Sequence, residues 1–360
     1  MQGESKITKT MAKDKEKIQL ESGEIVEASA PIIVSASRST DIPAFYADWF
    51  IHRLKVGYSV WTNPFNGVKS YVSYQNTKFI VFWSKDPRPL LEHFDTLKEM
   101  GIECYIQYTL NDYDDEMLEK RVPKVSYRIE TFKKLVDKLG KGRVIWRFDP
   151  LILTDVITVE SLLKKIENIG DQLLGYTEKL VFSFADIENY TKVKNNLSKA
   201  NINYRNFTQE EMLLFAERLS KLNSKWGYTL ATCGEKIDLT QFGVEHNHCV
   251  DDKLIVRFGY KSAELMNFLG AEIWQPDIFS SEPQEETIAL DNGQYAIIKS
   301  NNKDKGQRLF CGCMKSKDIG QYNTCPHMCE YCYANTSKES AMVNYKMHQN
   351  NPLSETIIGK

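Results

Sequence analysis

The chain has no basic surplus. Its 360 residues carry 46 Lys and Arg against 48 Asp and Glu, a formal charge of −2. A nucleic-acid binder usually shows the opposite balance, so nucleic acid is not indicated as a partner. No run of eighteen apolar residues occurs, and no membrane span is expected. The opening "MQGESKITKTMAKDKEKIQLESGE" has no apolar core of the secretory kind, so cytoplasmic residence is the expectation. No G-x-G-x-x-G follows the first apolar run, which disfavours a dinucleotide-binding Rossmann domain. No heptad or solenoid repeat is visible. What is present points to a packed globular chain, because 42% of the residues are apolar.

From residue 31 a rhythm sets in. Short β-branched and aromatic runs, "PIIVSAS", "KFIVFWS", "ECYIQYT", "RVIWRF", "KLVFSF" and "WGYTLAT", alternate with stretches of helical period. The helical stretches include "PAFYADWFIHRLKVG", "PLLEHFDTLKEMG", "IETFKKLVDKLG", "VESLLKKIENIGDQLL" and "EEMLLFAERLSKL". Gly57 and Gly101 stand where helix C-caps belong. "KIQLESGEIVEA" reads as a hairpin, and "YSVWTNPFNGVKSYVSY" as another with Asn66-Gly67 at its turn. Near-continuous apolar strands separated by helices predict a parallel sheet in an α/β fold. The expected architecture is a (βα)6–8 TIM-like barrel, closed or partial, over residues 31–260. A polar N-terminal segment and hairpin (1–30) precede it. A helix and connecting loop (261–300) and a cysteine-rich segment with a terminal helix (301–360) follow.

Each apolar run turns polar at its C-terminal end, and in a parallel barrel those ends share the rim where active sites form. Arg38 and Asp41 follow the first run, Lys85 the second, and Arg147 and Asp149 the fourth. These five are the candidates for holding a cofactor or substrate. Arg147 and Asp149 are two apart on a strand and share a face, as a salt bridge or as a clamp for a substrate carboxylate. The basic "KDKGQR" before the cysteines reads as a solvated loop or a contact for an acidic donor surface.

Eight cysteines are present, and Cys311, Cys313, Cys325, Cys329 and Cys332 fall within 22 residues. Disulfides are rare in the cytoplasm, so these are read as thiols or metal ligands. Three readings stay open. Zinc would take four ligands from the five cysteines and His327. An electron-transfer iron–sulfur cluster would take four cysteines. A cluster held by three would keep one iron open to a small molecule. His246 and His248, just before Cys249 in "HNHC", could join it and Cys233 in a small metal site, with a plain surface loop the commoner outcome.

The C-x3-C-x2-C spacing of Cys325, Cys329 and Cys332, with Tyr331 just before the last, resembles the radical S-adenosylmethionine (radical SAM) superfamily. The resemblance implies that these three bind a [4Fe–4S] cluster whose open iron chelates S-adenosylmethionine, and that reduction then cleaves the sulfonium. It places Tyr331, Tyr333 and Asn335 beside the cofactor, leaves Cys311 and Cys313 as further candidate ligands, and calls for a ferredoxin- or flavodoxin-type reductant. The chain departs from the superfamily in order, since the barrel-like region comes first and no Gly-Gly-Glu motif follows the loop. That order is similar to an uncharacterised bacterial family with radical-SAM-like cysteines near its C-terminus. "SASRSTDIPAFYADWF", "NPFN", "FWSKDP", "WRFDPLIL" and "CGCMKSKDIGQYNTCPHMCEYCYAN" carry the likeness. The expectation is therefore a radical SAM-like enzyme whose cysteine loop covers the barrel mouth. The alternative is a non-catalytic metalloprotein with structural zinc or a four-cysteine cluster.

Overall fold

The computed structural model describes residues 15–63, 66–275, 286–308 and 310–360. All six apolar runs form strands: β1 (Ile33–Ala36), β2 (Phe79–Ser84), β3 (Glu103–Thr109), β4 (Val144–Leu151), β5 (Lys179–Phe184) and β6 (Thr229–Thr232). Two short strands extend the sheet, β7 (Val244–His246) and β8 (Lys317–Asp318). The order is β7-β6-β5-β4-β3-β2-β1-β8, parallel throughout. From β1 to β7 consecutive strands are thus neighbours, as in a singly wound barrel, and a doubly wound sheet would reverse direction midway. Among the described residues the edge strands β7 and β8 are not paired with each other. An eight-stranded parallel sheet is what the hydrogen bonding shows, without closure.

The period-2 alternation of strand side chains separates two cores. Val34, Ile80, Phe82, Ile106, Tyr108, Trp146, Phe148, Leu180 and Phe182 pack with the crossover helices. These are α1 (Ala47–Val56), α2 (Phe94–Glu99), α3 (Val125–Leu139), α4 (Val159–Gln172), α5 (Thr191–Lys199) and α6 (Gln209–Asn223). Ile33, Phe79, Val81, Tyr105, Ile145, Val181 and Ala231 face the other way. In a closed small barrel such residues fill the interior. Here they meet α7 (Asp252–Gly259) and α8 (Ala263–Leu269), through Ile255, Val256, Leu265, Met266 and Leu269.

Local chemistry explains the helix limits. Thr158 caps α4 and Thr208 caps α6, each in a capping box with the residue three further on. Gly57 ends α1 at φ 97°, a left-handed value that glycine adopts without cost. Both expected hairpins form. Lys15–Gln19 pairs with Ile25–Ser29, and Tyr58–Thr62 with Lys69–Ser73, and the four strands join in one sheet. Pro64 and Phe65 of "NPFN", residues 276–285 of the polar 275–294 stretch, and the first fourteen residues lie outside the described set.

One expectation needs correction, and one helix was not foreseen. "YKSAELMNFLGAEIW" is not one helix: Gly270 ends α8 in the left-handed region, and Ala271–Trp274 then pairs antiparallel with Tyr295–Ile298. α7, α8 and that small sheet build the second core, and α5 was not foreseen because its mostly polar turns bury only Val193 and Leu197. The terminal helix does form, as α9 (Lys338–Asn350). No described helix is long and apolar enough to cross a membrane.

Candidate metal centre

The segment after β8 lies along the C-terminal ends of β1, β2 and β3. Gly320 makes the approach possible, since a Cβ there would meet Ser37 Oγ at 1.7 Å. Thr40 Oγ1 bonds to the Gln321 carbonyl at 2.7 Å, and Tyr46 Oη donates to the Thr324 carbonyl at 2.6 Å. Arg121 N–H donates to the His327 carbonyl, and Glu330 N–H to that of Leu118. The buried Glu330 carboxylate pairs with Lys120 and Lys338. The cysteine loop is thus fixed from several elements at once.

Asp41 is the centre of that attachment. Its Oδ1 accepts from Ala44 N–H at 3.0 Å and from the Ser84 hydroxyl at 2.6 Å. Its Oδ2 accepts from Lys85 N–H and sits 2.7 Å from His327 Nε2. Burial alone would push this carboxyl up, but His327, Lys85 N–H and Ser84 together hold it below its ordinary value. With its donors in place, Asp41 serves as a pin between β1, β2 and the loop.

Lys85 lies next to it. Its ammonium reaches Glu119 Oε1 at 2.6 Å and Tyr331 Oη at 2.8 Å. Burial works against the charged amine, yet Glu119 and the nearby Cys329 thiol outweigh it and raise Lys85. Glu119 is buried too, but Lys85 and Arg128 pull it down to about 2. Tyr331 Oη donates to Glu119 and accepts from Asn111 Nδ2 at 3.0 Å. Asn111 Oδ1 accepts from Asp149 N–H at 2.8 Å, and Asp149 pairs with Arg147 and Ser183. The expected salt bridge between Arg147 and Asp149 is therefore present. Arg38 and Arg147 each place a guanidinium 5.3 Å from the ring centre of Trp83.

Two of the three loop thiols are held by backbone. Amide N–H groups of His327 and Asp41 donate to Cys325, and those of Asn335 and Ala334 to Cys332. Burial pushes the Cys325 thiol up to about 12 and raises Cys329 and Cys332 as well. A bound cation reverses that logic, because metal-bound cysteine is deprotonated outright. Among the described residues, the three sulfurs are not all within 4.8 Å of one another. A tetrahedral zinc site would hold its sulfurs at about 3.8 Å. Asn335 Nδ2 donates to the Cys325 carbonyl while its Oδ1 is buried with no partner.

The predicted residues separate into distinct places. Tyr331 is buried under the loop with its hydroxyl in the Lys85–Glu119 network. Tyr333 is exposed and donates to the Arg38 carbonyl at 2.6 Å. Arg38 and Tyr333 line a concavity of about 370 Å³ with Trp61, Asp318, Gly320 and Tyr322. Cys311 and Cys313 are not with the loop thiols. They pack in the inner core beside Cys233 and Cys249, whereas Cys329 belongs to the helix-side core. Of the four residues weighed for a small site at "HNHC", only Cys233 and Cys249 meet. His246 is exposed, and Asn247, not either histidine, donates to Cys249 Sγ, at 3.2 Å. His248 stands with Asp251 and Asp252, and Asp251 already caps α7. Glu119 and Trp83 were missed. "DDEMLEKR" has the composition of a solvated loop, and nothing local marks its second glutamate as buried.

A family model described as Domain of unknown function (DUF1848) matches residues 33–334. A search of the curated proteins gives no match. The match spans most of the chain, so the protein belongs to that family.

Proposed function

Since that family's description assigns no activity, we propose from the site itself that the protein is an iron–sulfur enzyme of radical SAM type, acting on a substrate at the rim of a partial (βα) barrel. The observation that supports it most is the placement of Cys325, Cys329 and Cys332. One loop presents three thiols at the C-terminal ends of a parallel sheet, with amide donors on two of them. Three soft donors spaced more widely than zinc requires suit a cluster. The orphaned Asn335 Oδ1 gives a bound amine a buried acceptor. Bound there, a [4Fe–4S] cluster would supply the electron that cleaves S-adenosylmethionine, drawn from a ferredoxin or flavodoxin of the cytoplasm.

The chain's own residues do the rest. Lys85 sets a buried cation near Cys329 and offsets thiolate charge. Asp41 and His327 fix the loop against β1 and β2. Arg38 and Tyr333 bound the concavity where an anionic group would bind, and Arg147 is neutralised by its own pair with Asp149. Tyr331 and Tyr113, in edge contact at 6.1 Å, keep water from beneath the loop, which reactive intermediates require.

One observation favours a second reading. His327 Nδ1 is buried without a partner while Asp41 holds Nε2, the carboxylate–histidine arrangement that orients metal-bound imidazoles. As a fourth ligand it would close the site and leave electron transfer or structure as its role. Anaerobic reconstitution with iron and sulfide separates the two. Visible thiolate-to-iron absorbance, with 5′-deoxyadenosine formed from S-adenosylmethionine and dithionite, is the expected result. Iron that needs His327 for its retention, with no cleavage, would establish the closed site. Stoichiometric zinc without iron would refute both iron readings.

A further inference from the structure

Four of the remaining cysteines meet on the inner face of the sheet. Cys233 follows β6, Cys249 follows β7, and Cys311 and Cys313 come from the segment before β8. Cys233 Sγ lies 3.2 Å from Cys249 Sγ, and neither is in a disulfide, whose sulfurs would be about 2.05 Å apart. Cys249 also contacts the Cys313 thiol, and Cys313 that of Cys311. The four sulfurs thus form a continuous run from three separate parts of the chain.

The surroundings of Cys249 above all suit a thiolate better than a thiol. Arg147 Nη1 and Asn247 Nδ2 each donate to Cys249 Sγ at 3.2 Å, and Val250 N–H points at Cys313 Sγ at 3.5 Å. A neutral thiol is a weak acceptor and does not need three N–H donors around two sulfurs. Arg147 is buried, and Arg38 shares the Trp83 ring with it, so two guanidiniums border the group. Buried cations need negative partners, and Asp149 occupies only one arm of Arg147. Access exists as well. A concavity of about 450 Å³ reaches Cys311 past His246, His248 and Phe310. Gly312 keeps the turn between Cys311 and Cys313 tight, because a Cβ there would meet the His248 ring at 2.1 Å.

No three of these sulfurs lie within 4.8 Å of one another among the described residues. We propose that Cys233, Cys249, Cys311 and Cys313 form a second centre for a thiophilic metal, its spacing suiting an iron–sulfur cluster better than zinc, separate from the Cys325–Cys332 loop. It anchors the C-terminal segment to the inner face of the sheet. It also connects to the loop through hydrogen bonds, from Cys249 through Arg147, Asp149 and Asn111 to Tyr331.

The test uses the full chain carrying Cys325→Ala, Cys329→Ala and Cys332→Ala together, which leaves the inner four intact. It is prepared without oxygen and loaded with iron plus sulfide, or with zinc, and metal and sulfide per chain are measured. One bound centre should remain, and iron with sulfide or zinc alone identifies its kind. Adding Cys249→Ser and Cys313→Ser should abolish it with circular dichroism unchanged. Cys311→Ser, at a half-exposed position, should weaken retention even if the buried pair proves needed for folding. A folded triple variant that binds neither metal overturns the proposal, as does a Cys233–Cys249 disulfide found in anaerobically prepared protein. If wild type and triple variant hold equal metal, the loop reading fails and this one stands.

Discussion

Replacing Glu119 with Gln should cost about 3 kcal/mol at neutral pH, and the cost should fade in acid. The carboxylate is buried between Lys85 and Arg128, whose charges hold it near 2 instead of the ordinary 4.5. That difference corresponds to about 3 kcal/mol in favour of the folded state when Glu119 is ionised. Removing one partner of a buried ion pair independently costs about 3–5 kcal/mol, so the two routes agree. The sign follows from a depressed carboxyl: its stabilisation is complete above 4.5 and is lost as pH falls towards 2. Protonated glutamate and glutamine are nearly isosteric, so the two proteins should converge at low pH. At pH 3 the gap should shrink to about 1.4 kcal/mol. Urea unfolding of both proteins at several pH values measures it. A gap below about 1 kcal/mol at pH 7, or one independent of pH, would refute the claim that Glu119 holds the two cations beneath the cysteine loop.

Asp41→Asn should place an amide donor opposite either the Lys85 N–H and His327 or the Ala44 N–H. One buried donor then loses its acceptor, at about 1–3 kcal/mol, and amide exchange should rise at residues 325–332. Unchanged protection there would show that Asp41 does not fix the loop. His348 is buried against Tyr46 and Tyr345, and its desolvation outweighs a backbone hydrogen bond to Ile357 and holds it below its ordinary 6.5. The unfolded chain then binds more protons below that value, so stability should fall as pH drops from about 7 to 5. His348→Gln should flatten that slope, and an unchanged slope would assign it to another group.

Much of this protein was legible without coordinates. The six apolar runs read as buried strands, because most of their side chains are apolar, and Gly57 and Gly101 marked helix limits through backbone chemistry that acts within a few residues. The C-x3-C-x2-C spacing likewise singled out Cys325, Cys329 and Cys332, since a short loop fixes its own thiols. Long-range groupings were not legible. Cys233 and Cys249 lie more than sixty residues before Cys311 and Cys313, and no local pattern links them. Glu119 looked like one more surface acid until the cysteine loop, Lys85 and Arg128 closed around it. Local order follows from hydrogen bonds and side-chain periods that the sequence spells out directly. Which distant residues meet depends on how the sheet curves and what covers each face, and only the packed chain decides that.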